Sequence, residues 1–194
     1  MSKKVRLGTF YPKDLDLNGD QANLLVLAAR LKWRGVSSEI VSVTGDSDFS
    51  NLDLLFIGHG SLAAWGSLLA NDRKFISSAV EFMQTGKPLI AVSSGYIKVL
   101  EHLSEPIQTG EHRSEFVDVE GVVGYLNSSA DVPLLQRRGS SLLTMLHGPI
   151  LAKNPDLCDQ IISGNGWADV SLKNKQLDEV DSLAKVSRKT AFEN

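Results

Sequence analysis

The chain has 194 residues, 42% of them hydrophobic and 22% charged, which suits one soluble domain with a full core. The net charge is −3, with basic and acidic residues interleaved, which argues against nucleic acid as a partner. No apolar run approaches membrane-spanning length, and the single cysteine, Cys158, excludes an intrachain disulfide. The polar start leads straight into a strand-like run with no signal-peptide pattern, so a cytoplasmic protein is expected.

Residues 5–10 read as a first strand. Residues 11–20, rich in Asp, Asn, Gly and Pro, read as loop. Residues 21–34 read as a helix, with Leu24, Leu27, Ala28 and Leu31 at helical spacing and Gly35 as C-terminal cap. Residues 36–43 form a second strand. Residues 52–57 form a third, continuously apolar as when both faces are covered, and run into Gly58-His59-Gly60-Ser61. Residues 77–85 belong to a helix that Gly86 ends, and residues 89–92 are the next strand. This order (strand, helix, strand, strand, helix, strand) predicts an α/β fold with a mostly parallel central sheet and helices on both faces. Chemistry in such sheets gathers at the carboxyl ends of the strands, so loops 11–20, 58–61 and 93–96 should meet.

The second half is less regular. Residues 116–119 and 121–126 read as short strands, and 127–131 as loop. Residues 141–146 lead into His147-Gly148-Pro149. Asn154 is expected to cap a helix that has Pro155 at its first position and carries Leu157, Ile161 and Ile162. Residues 169–194 are mostly polar, with one amphipathic helix expected over 177–186 and a frayed end.

The stretch Lys87-Pro88-Leu89-Ile90-Ala91-Val92-Ser93-Ser94-Gly95-Tyr96 reads as a buried strand, an abrupt turn and a helix beginning near Tyr96. Two readings stand at this point: a nucleophile elbow with Ser93 at its tip, or a strand ending in a serine helix cap. His59 is a polar ligand contact, a replacement base or a solvent-facing loop residue. His102 and His112 lack partners at metal-ligand spacing, so no metal and no cofactor is expected. Asp14, Asp16 and Asp20 lack the further ligands of a calcium loop and read as turn chemistry. Cys158 reads as a small buried apolar residue.

Four stretches together resemble one family: 17–23 with 31–35; Leu55-Phe56-Ile57-Gly58-His59-Gly60; the 87–96 stretch; and Leu146-His147-Gly148-Pro149-Ile150-Leu151-Ala152-Lys153-Asn154-Pro155. The chain resembles the cobyric-acid-synthase type of class I glutamine amidotransferase. The nearer likeness is to the glutaminase subunit of lipid II isoglutaminyl synthase. The resemblance covers roughly residues 5–165. It implies a flavodoxin-like three-layer sandwich, with residues 1–168 as the amidotransferase-like domain and 169–194 as a partly helical extension.

In that family an elbow cysteine attacks the side-chain amide of glutamine, and a histidine serves as base and then as acid for departing ammonia. An ATP-dependent synthetase partner uses the ammonia. Carried over by position, Ser93 stands at the nucleophile and His147 at the histidine. Gly58, Gly60 and the amide of Ser94 stand at the oxyanion donors, and Arg113 at an arginine that contacts glutamine. The implied partner is a Mur-ligase-like or other ATP-dependent synthetase, and the implied ligand is glutamine or a related small molecule. The implied setting is amidation of a cell-wall (peptidoglycan) precursor or of cobyric-acid type.

The chain departs from the family at several of these places. Serine replaces cysteine, Ser94 follows it, Ile97 replaces a substrate-seating glutamine, and His59 interrupts a glycine stretch. A serine hydroxyl is a far weaker acid than a thiol and needs a closely held base. Impaired or absent glutaminase turnover is therefore expected. The alternatives are a non-catalytic binding or regulatory member of the fold and a Ser93/His147 hydrolase.

Overall fold

The computed structural model describes residues 4–172 and 174–193. In chain order the elements are β1 (Val5–Phe10), α1 (Ala22–Trp33), β2 (Ser38–Val43), β3 (Leu54–Ile57), α2 (Leu62–Asn71), α3 (Phe75–Gln84), β4 (Leu89–Val92) and α4 (Ser94–His102). There follow β5 (Gln108–Val119), β6 (Val122–Asp131), β7 (Leu135–Arg138), β8 (Ser141–Thr144), β9 (Leu146–His147), α5 (Ile150–Lys153), α6 (Pro155–Gly164) and α7 (Lys175–Thr190).

The central sheet has the order β2-β1-β3-β4-β8-β7. All neighbours are parallel except the edge pair β7–β8. This is the mostly parallel α/β sheet that the strand–helix alternation predicts. β3, β4 and β8 are buried at every position, because helices cover both faces of the sheet. The chain leaves β1 in one direction along the sheet and β3 in the other. Right-handed crossovers therefore send α1 and α3 to opposite faces. A second, antiparallel sheet, β5-β6-β9, stands beside it, and its last strand delivers His147.

Four local readings are corrected or completed. α2 lies in a stretch to which the sequence reading assigns no element. Its Ser61 cap accepts from the Ala64 amide, but it buries only Trp65 and Leu68 while Leu62 is 91% exposed, so it carries no clear helical stripe. Residues 127–131 are not loop but the outer half of β6. Their Asn, Ser and Asp side chains favour turns locally, and pairing with β5 overrides that preference. α4 begins at Ser94, directly after the turn, rather than near Tyr96. Asn154 stands at the N-cap position of α6, with Pro155 opening the helix, but its side chain makes no capping bond. Its side chain is buried and turned to β6, accepting from the Val123 amide and donating to the Val123 and Ile150 carbonyls.

The last helix folds back on the domain. Asn174 caps α7 through the Gln176 amide and also donates to the Trp33 carbonyl. Leu177 and Ala184 are buried against the body. Arg30, nearly inaccessible, bridges Asp159 of α6 and Asp181 of α7 at 2.9 and 2.6 Å. A guanidinium this deep needs both carboxylates, because an unpaired buried charge is costly. Among the described residues, no helix is long and apolar enough to cross a membrane.

Asn154→Ala should lower unfolding free energy by about 2–3 kcal/mol, because it strips partners from buried backbone groups on β6 and α5. Urea unfolding followed by far-UV circular dichroism checks this; an exposed capping residue would cost nearer 1 kcal/mol.

Candidate functional site

Ser93 sits at a sharp corner between β4 and α4 with φ 49° and ψ −112°. A side-chain-bearing residue at positive φ stores roughly 1–3 kcal/mol of strain. The surroundings hold it there: its amide donates to the Thr144 carbonyl at 2.6 Å, and its carbonyl accepts from the Ile97 amide at 3.0 Å. Two glycines let the corner close. A Cβ on Gly95 would come within 2.8 Å of the Gly58 carbonyl oxygen, and one on Gly58 within 2.0 Å of the Leu15 carbonyl oxygen.

β9 brings the His147 imidazole to this corner, with Nε2 3.3 Å from Ser93 Oγ. The Asn18 side chain meets the other ring nitrogen, Nδ1, at 2.7 Å. The Asn127 carbonyl lies 3.4 Å from Nε2. A carbonyl only accepts, so this contact favours the tautomer with the ring proton on Nε2. Nδ1 then accepts from the Asn18 amide. In that tautomer His147 donates toward Ser93 and holds no lone pair for its proton. Ser93 and His147 are 4% and 9% exposed. Burial holds the His147 imidazole below its usual pKa, against the pull of the Asn127 carbonyl.

Two of the three donors expected for an oxyanion, the Ser94 and Gly60 amides, are taken. The Ser94 amide, at the α4 N-terminus, donates to His59 Nδ1 at 3.3 Å. The Gly60 amide donates to Ser94 Oγ at 3.0 Å, and the Trp65 indole donates to the same oxygen at 2.7 Å. His59 is partly buried, its ring edge-on to that of His147 with centroids 4.8 Å apart. Burial, and then the neighbouring His147, take its pKa down to about 4.

Asp20, fully buried, holds the loops in place. One carboxylate oxygen accepts from the His59 amide at 2.9 Å and the other from the Gly148 amide at 2.8 Å. Burial pushes its pKa up to about 6, against those two bonds, and the charge of Asp16 adds to the rise. Asn23 supports the same junction, donating to the Gly148 carbonyl and accepting from the Leu151 amide.

The structure thus gathers Ser93, His147, Gly58, Gly60 and Ser94 at one rim. Arg113 is not among their contacts. Its guanidinium pairs with Glu115 at 2.8 Å on exposed β5, beside a cleft of about 600 Å3 that runs along β5 and β6. Asn18, Asp20 and Trp65 were not singled out as site residues by sequence reasoning. The loop composition of 11–20 and the family-like stretch 17–23 pointed toward the first two without giving them roles, and nothing local marked Trp65. Among the described residues, no group of three or more His, Cys, Asp or Glu is arranged to hold a metal.

No protein-family model and no curated protein sequence matches the chain. Solved structures do. A glutamine amidotransferase from Thermotoga maritima is 10% identical, with a TM-score of 0.53 over 96% of this chain and 93% of that one. PurLQS from Thermotoga maritima is 12% identical, with a TM-score of 0.50 over 93% and 98%. A two-domain protein from Anabaena variabilis, containing DJ-1/ThiJ/PfpI-like and ferritin-like domains, is 14% identical, with a TM-score of 0.50 over 93% and 55%. At these identities the likeness establishes the fold, and one fold hosts more than one chemistry.

Asp20→Asn should destabilise the chain by about 2 kcal/mol, since the amide NH2 then faces a backbone N–H donor. Thermal or urea unfolding reads this. At the site, Asp20 and His59 contribute to the pH dependence of stability with opposite signs. The raised Asp20 pKa gives a contribution fully present below about 3.8 and lost as pH rises through about 6. The depressed His59 pKa gives one present above about 6.5 and lost as pH falls through about 4. His59→Gln removes only the second, so its stability relative to wild type should improve by about 2 kcal/mol between pH 7 and pH 4.5, measured by urea unfolding at both.

Proposed function

We propose that the chain is a glutamine amidotransferase-like subunit whose glutaminase chemistry is shut off. On this reading residues 1–168 carry the amidotransferase-like domain and residues 169–194 an extension. It binds glutamine or a related small molecule weakly or not at all at Ser93, and serves an ATP-dependent, Mur-ligase-like synthetase as a non-catalytic partner in the cytoplasm. The cell-wall or cobyric-acid setting of that partner rests on the sequence resemblance.

The occupied oxyanion donors carry this reading. Amide hydrolysis passes through a tetrahedral oxyanion that needs N–H donors aimed at it, and one such donor is worth about 10²–10³ in kcat. The Ser94 amide is bound to His59 and the Gly60 amide to Ser94 Oγ. A substrate carbonyl would have to displace both. Ser93 adds a second obstacle, since its partner nitrogen on His147 carries the ring proton in the tautomer favoured by Asn127.

A second reading is favoured by the Asn18 contact. If the Asn18 amide turns over, its oxygen accepts from Nδ1–H, Nε2 is freed as a base, and Ser93, His147 and Asn18 form a serine-nucleophile triad. An activated-ester probe that labels Ser93, with labelling lost in His147→Ala and reduced in Asn18→Ala, would favour this reading.

Ammonia release from glutamine, followed by coupled glutamate dehydrogenase, tests the first reading. The wild-type chain should release none. Ser93→Cys alone should stay near background. Adding His59→Gly and Ser94→Gly to Ser93→Cys should raise turnover by about 10²-fold. Turnover by the wild type, or full turnover by Ser93→Cys alone, would defeat the proposal.

A further inference from the structure

α7 has two apolar sides. Leu177 and Ala184 face the body and are buried. Leu183 and Val186, three residues apart on another side, are 69% and 61% exposed. Leu25 of α1 is 61% exposed and borders a cleft of about 330 Å3 that Val26, Trp33 and Val180 also line. Beyond the helix ends, Leu172 and Phe192 are 60% and 52% exposed. Exposed apolar residues grouped in this way mark an interaction surface.

Charge along α7 identifies the occupant. The N-terminal half carries Asp178 and Glu179, and the C-terminal half carries Lys185 and Lys189, while Arg188, one turn after buried Ala184, lies on the body side. Lys175, the one basic residue of the first turn, leans on Glu179 at 3.9 Å. Asp178 and Lys185 enter no ion pair among the described residues. Laid antiparallel against itself, the helix sets each acidic half on the other's basic half. Laid parallel, it sets like on like. A face complementary to its own inverted copy is what a two-fold interface requires. The same arrangement brings Phe192 of each copy toward the end of α7 that Leu172 precedes.

We propose that this face of α7 joins two copies of the chain, helix against helix and antiparallel, with Leu183 and Val186 at the seam. The proposal is independent of any reaction at Ser93.

Sedimentation velocity and light scattering over the micromolar range test it. The wild type should show a concentration-dependent dimer. Leu183→Glu should weaken association at least ~100-fold while leaving the urea midpoint unchanged at concentrations where the wild type is monomeric, since the side chain is exposed. A variant with Asp178→Lys and Glu179→Lys should be monomeric. So should one with Lys185→Glu and Lys189→Glu. Mixing the two should restore a dimer, because one helix is then basic throughout and the other mostly acidic. A wild type that is monomeric at every concentration would overturn the proposal. A dimer that survives Leu183→Glu, or a mixture of charge variants that stays monomeric, would do the same.

Discussion

One buried carboxylate organises the rim of this molecule. Asp20 accepts from the amides of His59 and Gly148, which belong to loops leaving two different sheets. That bridge ties the glycine loop after β3 to the histidine loop after β9, and Leu17 and Asn18 of the same chain segment reinforce it through the His59 carbonyl and the His147 ring. The arrangement is electrostatically tense, since burial works against the charged form that the two N–H groups want. Asn23, one helical turn on, shares the load with neutral bonds to the same loop.

The strained Ser93 corner depends on this frame. Its positive φ persists because β8 takes its amide and α4 takes its carbonyl, and because Gly58 and Gly95 have no side chains where backbones touch. Such a corner is commonly an instrument for presenting a nucleophile. Here the surrounding polar groups are matched with each other. His59 fills the mouth of the α4 N-terminus, where an anion would otherwise be welcome. Ser94 turns its hydroxyl to Gly60 and Trp65. Each satisfied donor lowers the energy of the empty site and raises the cost of putting a transition state there.

Folding and chemistry therefore make different demands on the same residues. The fold needs glycines at 58 and 95, a buried acid at 20 and a small residue at 93. Catalysis needs unsatisfied donors and a base with a free lone pair. The chain meets the first set closely, and the positions at which it differs from the amidotransferase pattern it resembles, Ser93, His59 and Ser94, fall on the second. Of the long β5–β6 ribbon, Asn127 reaches His147, whereas Arg113, paired to Glu115 on exposed β5, is not among the site's contacts.

The sequence alone determined the α/β class, because continuous apolar runs at 54–57 and 89–92 and a helical stripe at 24–31 are local periodicities. It also marked the abrupt corner at Ser93, through four apolar residues followed at once by small ones. The pairing of Ser93 with His147 came through resemblance, since no periodicity links positions 54 residues apart. Tertiary structure decided the rest. Asp20 and Asn18 look like turn residues until partners about 130 residues away arrive. Asn154 looks like a cap until β6 passes its side chain. Residues 127–131 look like loop until β5 lies alongside them. A hydrogen bond is specific to the groups that meet, and which groups meet is settled only when the whole chain has packed.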